Sequence, residues 1–343
     1  MKLKVYKARE GDFLETREGL IFDVKGLVHP PRKIIAYLRY FEDPLGTRKR
    51  GGKKYSKVYS LSDRERILRE KFPQYLFYDP VFGENMQGVP HTQVSKLYQP
   101  AEKVSCLLSK DDLDPLESLA VEFVEIVHDA ASVRFSKLGI SGSILVDLHT
   151  EDSDIDIIVY GRENCIRAYE ALGTLMQEKC SPVSAYSTED LKALYAFRSK
   201  DTWMPLEDFI KVERRKSSQG KFKGKDFFVR FILDWDEVNE KYGDRLYSRA
   251  GYTRIKAKIE DDSESMFTPC RYALSDVEVL SGTAASPIRE IVSFRGRFAK
   301  QAEKGEHIVA QGKLEKVAEK DGTEFFRLVL GAKPFDFMIN KSL

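Results

Sequence analysis

The stretch Asp154-Ile155-Asp156-Ile157 fits one element well: a strand in a sheet with two unlike faces. Alternate side chains of a strand share a face, so Asp154 and Asp156 project together, about 6.5–7 Å apart along the chain, while Ile155 and Ile157 turn toward a core. Two carboxylates so placed repel, and both ionise readily only with a cation between them. Hard oxygen donors of this kind suit Mg²⁺, which is usually held by one or two carboxylates together with the phosphates of a substrate. Upstream, Gly139-Ile140-Ser141-Gly142-Ser143 ends in a Gly-Ser pair, ten residues before Asp154. The glycine lets the backbone approach a phosphate, and the Ser143 hydroxyl can donate to one. A phosphate cradle followed by a metal-holding carboxylate pair reads as a site for nucleoside triphosphate chemistry.

The elements around this pair form a middle segment, 111–245. Asp114 suits an N-cap, with Pro115 at the first helical position and Glu117 at the third. Leu116, Leu119, Phe123, Ile126, Val127 and Ala130 then recur at helical spacing, as in a helix packed on a sheet. Strands are expected at 135–140, 155–160 and 227–233. Helices are expected at about 163–179 and over 188–212, the latter interrupted near Pro205.

The first segment, 1–110, reads as a mixed α/β module. It has a hairpin at 13–16 and 19–24, a strand at 33–40, a basic loop at 44–54 and a strand at 55–59. Ser62 and Glu65 form a capping box for a helix through Lys71. The stretch 72–100 has weak periodicity and is expected to wrap across a neighbouring surface. In the third segment, 246–343, residues 252–259 alternate cleanly, and strands follow at 277–280, 290–298, 307–317 and 324–330. Asp321-Gly322 makes a hairpin turn, and a lone helical turn is expected at 300–304. Short strands at this spacing suggest a small OB-like barrel.

Gly142-Ser143-x10-Asp154-Ile155-Asp156-Ile157 resembles the signature of the DNA polymerase β-type nucleotidyltransferase superfamily. That pattern is a hydrophobic residue, Gly, Gly or Ser, a short spacer, and a carboxylate–hydrophobic–carboxylate strand. Ser141 departs from it, because the position before Gly142 is often apolar. Gly26-Leu27-Val28-His29-Pro30-Pro31, Phe267-Thr268-Pro269-Cys270 and Phe294-Arg295-Gly296-Arg297-Phe298 resemble a predicted nucleotidyltransferase group of archaea. The resemblance implies an α+β fold: a central nucleotidyltransferase-type mixed sheet with packed helices, beside the N-terminal α/β module and the small C-terminal β-barrel. It also implies Mg²⁺ or Mn²⁺ on Asp154 and Asp156, and a nucleoside triphosphate substrate against Gly142 and Ser143.

The superfamily normally adds a third carboxylate on a later strand. Here that strand reads Lys225-Asp226-Phe227-Phe228-Val229-Arg230-Phe231-Ile232-Leu233-Asp234, with Phe228 and Arg230 where a carboxylate would sit. Asp234 is the preferred third metal ligand and Asp226 the next; Asp234 could instead cap the strand end. Arg230 is either a buried partner for a carboxylate or a triphosphate contact. His29, ahead of two prolines, reads as structural.

With 343 residues, the chain has room for two or three domains. Its 56 Lys+Arg against 54 Asp+Glu leave a net charge of +2, so a globally basic nucleic-acid binder is not indicated and any attraction is local. Two basic runs qualify: Arg48, Lys49, Arg50, Lys53, Lys54 and Lys57, and 211–225. They are either solvated loops or a track for a phosphate backbone, with Tyr55 and Tyr59 as stacking surfaces. The scattered Cys and His residues form neither a disulfide framework nor a zinc pattern. No apolar run is long enough for a membrane helix and the N-terminus carries no secretory signal, so the expectation is a cytoplasmic protein.

Two functional readings stand. In the first, the chain is an enzyme that transfers a nucleoside monophosphate from an NTP to an acceptor hydroxyl, such as an RNA or DNA end, and releases pyrophosphate. In the second, it is a degenerate transferase fold that binds nucleic acid without turnover.

Overall fold

The computed structural model describes residues 4–343; residues 1–3, part of the stretch read for a leader, lie outside it. The chain is a mixed α+β protein that forms two compact units. The first runs through Asp79 and adds Asn85–Val183 and Gly220–Tyr242. The second comprises Pro80–Glu84, Ser184–Gln219 and Gly243–Leu343.

The N-terminal part contains β1 (Phe13–Thr16), β2 (Ile21–Val24), β3 (Lys33–Glu42), β4 (Arg48–Arg50), β5 (Lys53–Lys57), α1 (Leu61–Lys71), β6 (Leu76–Asp79), β7 (Glu84–Pro90) and β8 (Val94–Tyr98). The sheet order is β4-β5-β3-β2-β1-β8, with β7 pairing β3 and β6. Ser60, not Ser62, caps α1, because its hydroxyl accepts from the Asp63 N–H. The stretch 72–100, expected to wrap across a neighbouring surface, holds three strands of the N-terminal sheet. Their backbone pairing with β3 and β1 supplies what side-chain alternation does not show.

The middle part contains α2 (Pro100–Leu108), α3 (Pro115–Ala131), β9 (Leu138–Ile140), α4 (Gly142–Leu145), β10 (Ile155–Tyr160), α5 (Arg162–Gln177), β11 (Val183–Ser184), α6 (Thr188–Arg198), α7 (Leu206–Glu213), β12 (Gln219–Phe222) and β13 (Lys225–Ile232). Asp114 caps α3 as its sequence predicts: the carboxylate accepts from the Leu116 and Glu117 N–H groups, both at 2.9 Å. The helix stops at Ser132, whose φ of 51° is left-handed. The mixed sheet runs β11-β12-β13-β10-β9, with β10 parallel to β13 and antiparallel to β9.

One face of this sheet carries Ile155, Ile157, Phe227 and Phe231 toward the helices: Phe123 of α3 lies 4.6 Å from Phe227, and Tyr169 of α5 lies 5.9 Å from Phe231. The other face carries Asp154, Asp156 and Arg230, and the N-terminal part covers it. A Cβ on Gly11 would lie 2.2 Å from Ile158 Cδ1, so that approach needs glycine. A shared core of Phe13, Ile21, Tyr40 and Tyr98 with Leu145, Val146 and Leu148 closes the contact. The boundary expected near residue 110 therefore separates no independent body; the two parts pack as one unit.

In the second unit, α6 and α7 accompany β14 (Arg245–Asp261), β15 (Cys270–Gly282), β16 (Ile288–Ser293), β17 (His307–Glu319), β18 (Glu324–Leu330) and β19 (Phe337–Asn340). The segment carrying α6 and α7 was expected to belong to the middle domain; it belongs here. The sheet order is β14-β15-β16-β18-β17-β19, and β14 also pairs β17, so the pairings return to their starting strand. Ile255, Tyr272, Ile291, Ile308, Leu314 and Leu328 fill its core. The helical turn falls at Gly296–Phe298 rather than at 300–304.

Candidate functional site

The Gly-Ser turn lies directly beneath the carboxylate pair. The Ser141 N–H donates to the Asp156 carbonyl at 2.9 Å, and the Ser141 hydroxyl donates to the Gly11 carbonyl at 2.8 Å. The polar residue at this position thus has a local reason: it ties the turn to the N-terminal part. Gly142 has φ +63°, and a Cβ there would lie 2.0 Å from Asp156 Oδ2, so a side chain would displace the carboxylate. The Ser143 Oγ is buried and has no hydrogen-bond partner among the described residues. Leaving a buried hydroxyl unpaired costs about 1–3 kcal/mol, a loss that a ligand oxygen would recover.

These groups open on one pocket. The middle sheet and its turn contribute Ser141, Gly142, Ser143, Asp154, Asp156 and Arg230. The N-terminal part contributes Phe13, Asp23, Arg39, Tyr40 and Lys57. Burial, then the charge of Asp154, pushes the Asp156 carboxyl up to about 7, against the pull of Arg230, Lys57 and Arg39. Burial and Arg39 push the Lys57 ammonium down to about 8. Burial works to raise Asp23, but Lys25, Arg230 and Arg39 together hold it below the usual carboxylate range.

The expected third ligand is elsewhere. On β13, Phe228 lies opposite Asp156 and Ile232 opposite Tyr160. Asp234 therefore lies beyond the far end of the strand pair, about 20 Å from the level of Asp156 at the usual rise per residue. Its carboxylate binds Arg9 at 3.1 Å and Lys137, and it accepts from the Trp235 N–H at 2.9 Å. The parallel register, which decides which end of β13 meets Asp156, is the reason for the difference. Asp226, the other candidate, is exposed and paired with Lys221 at 3.2 Å. Among the described residues, no group of three or more His, Cys, Asp or Glu side chains is placed to hold one metal ion.

Arg230 has the carboxylate partner foreseen for it, the buried Glu10 at 2.8 Å, and it also lines the pocket. The ring of His29 lies 3.0 Å from the Ala8 carbonyl and accepts from the Ile35 N–H at 3.3 Å. Burial pushes it down to about 4, which suits a neutral structural ring.

The basic runs are mostly committed within the fold. Arg48 reaches the Leu148 carbonyl, and Arg50 reaches Glu15 at 2.7 Å. Lys216 reaches Glu213 at 2.6 Å, and Lys223 reaches Glu122. Tyr55 is buried, so it offers no stacking face; Tyr59 is exposed. Sequence reasoning missed Asp23 and Arg39 as pocket residues. The signal was the one that drew attention to Arg230: a charge inside an otherwise apolar strand, as in Ile21-Phe22-Asp23-Val24 and Ile34-Ile35-Ala36-Tyr37-Leu38-Arg39.

No helix among the described residues is long and apolar enough to cross a membrane. Over 335 residues the chain is 33% identical to the uncharacterized protein MJ1086 of Methanocaldococcus jannaschii, an alignment that covers 95% of this chain and 96% of that protein. No family model and no solved structure matches the chain.

Proposed function

This chain belongs to the family of the Methanocaldococcus jannaschii protein MJ1086, and we propose that it is a metal-dependent nucleotidyltransferase. The observation that carries this reading is the Gly142 turn packed under Asp156, with the buried Ser143 Oγ unpartnered in the same pocket. Ser143 donates to a phosphate oxygen, and Gly142 keeps the backbone low enough for the phosphate to approach. Asp154 and Asp156 would hold Mg²⁺ or Mn²⁺; burial, then the charge of Asp154, raises Asp156, and such an ion would offset both. When bound, the ion would neutralise charge developing on the phosphate oxygens. An acceptor hydroxyl attacks the α-phosphorus and pyrophosphate leaves. The returning strand order of the C-terminal sheet supports an OB-like module, and with it an RNA or DNA end as acceptor.

One observation favours the second reading, a binding module without turnover: Phe228 and Arg230 occupy the strand positions beside Asp156 where a third carboxylate is expected. Incubation with each labelled NTP, Mg²⁺ or Mn²⁺, and pooled RNA and DNA separates the two. Incorporation lost in Asp154→Ala and Asp156→Ala supports the enzyme. Salt-sensitive nucleic-acid binding without incorporation, unchanged in both variants, sinks it. Label migrating with the polypeptide assigns a protein acceptor instead.

A further inference from the structure

Arg39 and Lys57 are the two pocket cations that form no direct ion pair among the described residues, although the charges of Asp23, Asp154 and Asp156 act on them. Lys25 meets Asp23 and Glu10 at 2.9 Å each, and Arg230 meets Glu10 at 2.8 Å. Arg39 and Lys57 make no ion pair among the described residues. The Arg39 guanidinium reaches only the Val58 carbonyl, at 3.5 Å, and both side chains lie against the Tyr59 ring, at 5.5 and 5.0 Å. Burial, then the charge of Arg39, pushes the Lys57 ammonium down to about 8. Two like charges held together in a partly buried pocket are unfavourable until an anion joins them.

The pocket's charges sort simply. Asp23 is matched by Lys25 and Arg230 by Glu10; a divalent cation would match Asp154 and Asp156. What remains is the positive pair on β3 and β5, which lines the same pocket as the carboxylates. A triphosphate carries more negative charge than one divalent ion neutralises, and its terminal phosphates are the part that would extend from Ser143 toward this pair.

We infer that Arg39 and Lys57 form a subsite for the terminal phosphates of a nucleoside triphosphate, supplied by the N-terminal part rather than by the sheet that carries the aspartates. This rests on the nucleotidyl-transfer reading and narrows it: selection acts on the length of the phosphate tail. Arg39 offers a planar fork of donors and Lys57 a compact charge, a combination suited to non-bridging phosphate oxygens. It also gives a purpose to the ties from Ser141 to Gly11 and from Arg48 to Leu148, which hold the two halves of the pocket together.

The test is calorimetric titration of the full chain with inorganic tripolyphosphate, pyrophosphate and phosphate, each with Mg²⁺ and with a chelator. Tripolyphosphate should bind most tightly, and Arg39→Gln and Lys57→Met should each weaken it by roughly tenfold or more, with Lys57→Arg retaining most of the affinity. Thermal melts report folding; if Arg39→Gln does not fold, the Lys57 pair carries the test. Tripolyphosphate that fails to bind the wild type, binds no better than phosphate, or binds both variants as well as the wild type overturns the subsite. The two readings fail differently. No product from any NTP, with tripolyphosphate binding still dependent on Arg39 and Lys57, removes the transferase and keeps the subsite. Asp156-dependent product with an unchanged KM for NTP in both variants does the reverse.

Discussion

The β10–β13 strand pair ends in carboxylates on both sides, and the fold treats the two ends in opposite ways. At one end Asp234 is satisfied: Arg9, Lys137 and the Trp235 N–H surround it, Arg9 stacks on Tyr160 at 3.6 Å, and the carboxyl is held below its usual range. At the other end Asp154 and Asp156 face each other across a pleat, Asp156 is raised to about 7, and Ser143 beside them lacks a partner. Both ends lie on the same two strands, so propensity does not separate them. One end is a completed structural network; the other, built from the same residue type, is left incomplete, and on the proposed function a ligand completes it.

Four substitutions test that contrast. The largest effect is expected from Asp156→Asn, which should reduce NTP-dependent incorporation on the order of 10³-fold, whereas Asp234→Asn should leave the rate per folded molecule within a few-fold. Equal losses at the two ends would erase the distinction. Gly142→Ala comes next: with φ +63° and a Cβ 2.0 Å from Asp156 Oδ2, it should lower the same rate by about 10²-fold. An active Gly142→Ala protein would show that the turn does not set the carboxylate's position.

Stability should move with opposite sign at the two ends. Asp156 is raised from 3.8 to about 7, so without metal the folded chain retains a proton there that the unfolded chain has released. That contribution is fully present below pH 3.8 and is lost as pH rises through about 7. Asp156→Asn should therefore stabilise the metal-free protein at pH 8, by about 1–2 kcal/mol in urea unfolding. Asp234 is lowered, because Lys137, Trp235 and Arg9 outweigh its burial, so its contribution is present above its ordinary value of 3.8 and is lost as pH falls below it. Asp234→Asn should destabilise at pH 8 by about 1–3 kcal/mol. The same sign for both would contradict the comparison. The smallest effect belongs to Lys137→Met: its side chain is 41% exposed, so unfolding should shift by less than about 1 kcal/mol and incorporation should not change. A larger loss would show that solvent does not screen the Lys137–Asp234 pair as its exposure implies.

The local half of the site is legible in the amino-acid order and the distant half is not. Gly142, Ser143, Asp154 and Asp156 lie within one turn-and-strand unit, where spacing and alternation alone bring them together. Asp23, Arg39 and Lys57 come from strands about a hundred residues earlier, and only packing of two sheets places them in the pocket. Asp234 was misplaced because alternation says which face a residue takes but not which end of a parallel neighbour it meets. The same limit appears in the second unit. Residues 252–259 alternate as expected, but β14 begins at Arg245, before a bulge between Arg249 and Gly251 that breaks the pattern. Along Glu84-Asn85-Met86-Gln87-Gly88-Val89-Pro90, strand structure comes from pairing with β3, and no periodic signal announces it.

The most direct test of the account is a crystal soaked with Mn²⁺ and a non-hydrolysable NTP, read by anomalous scattering. Manganese is expected between Asp154 and Asp156, with the phosphates against Ser143. Manganese at Asp234, or a nucleotide bound away from the Gly142 turn, would contradict it.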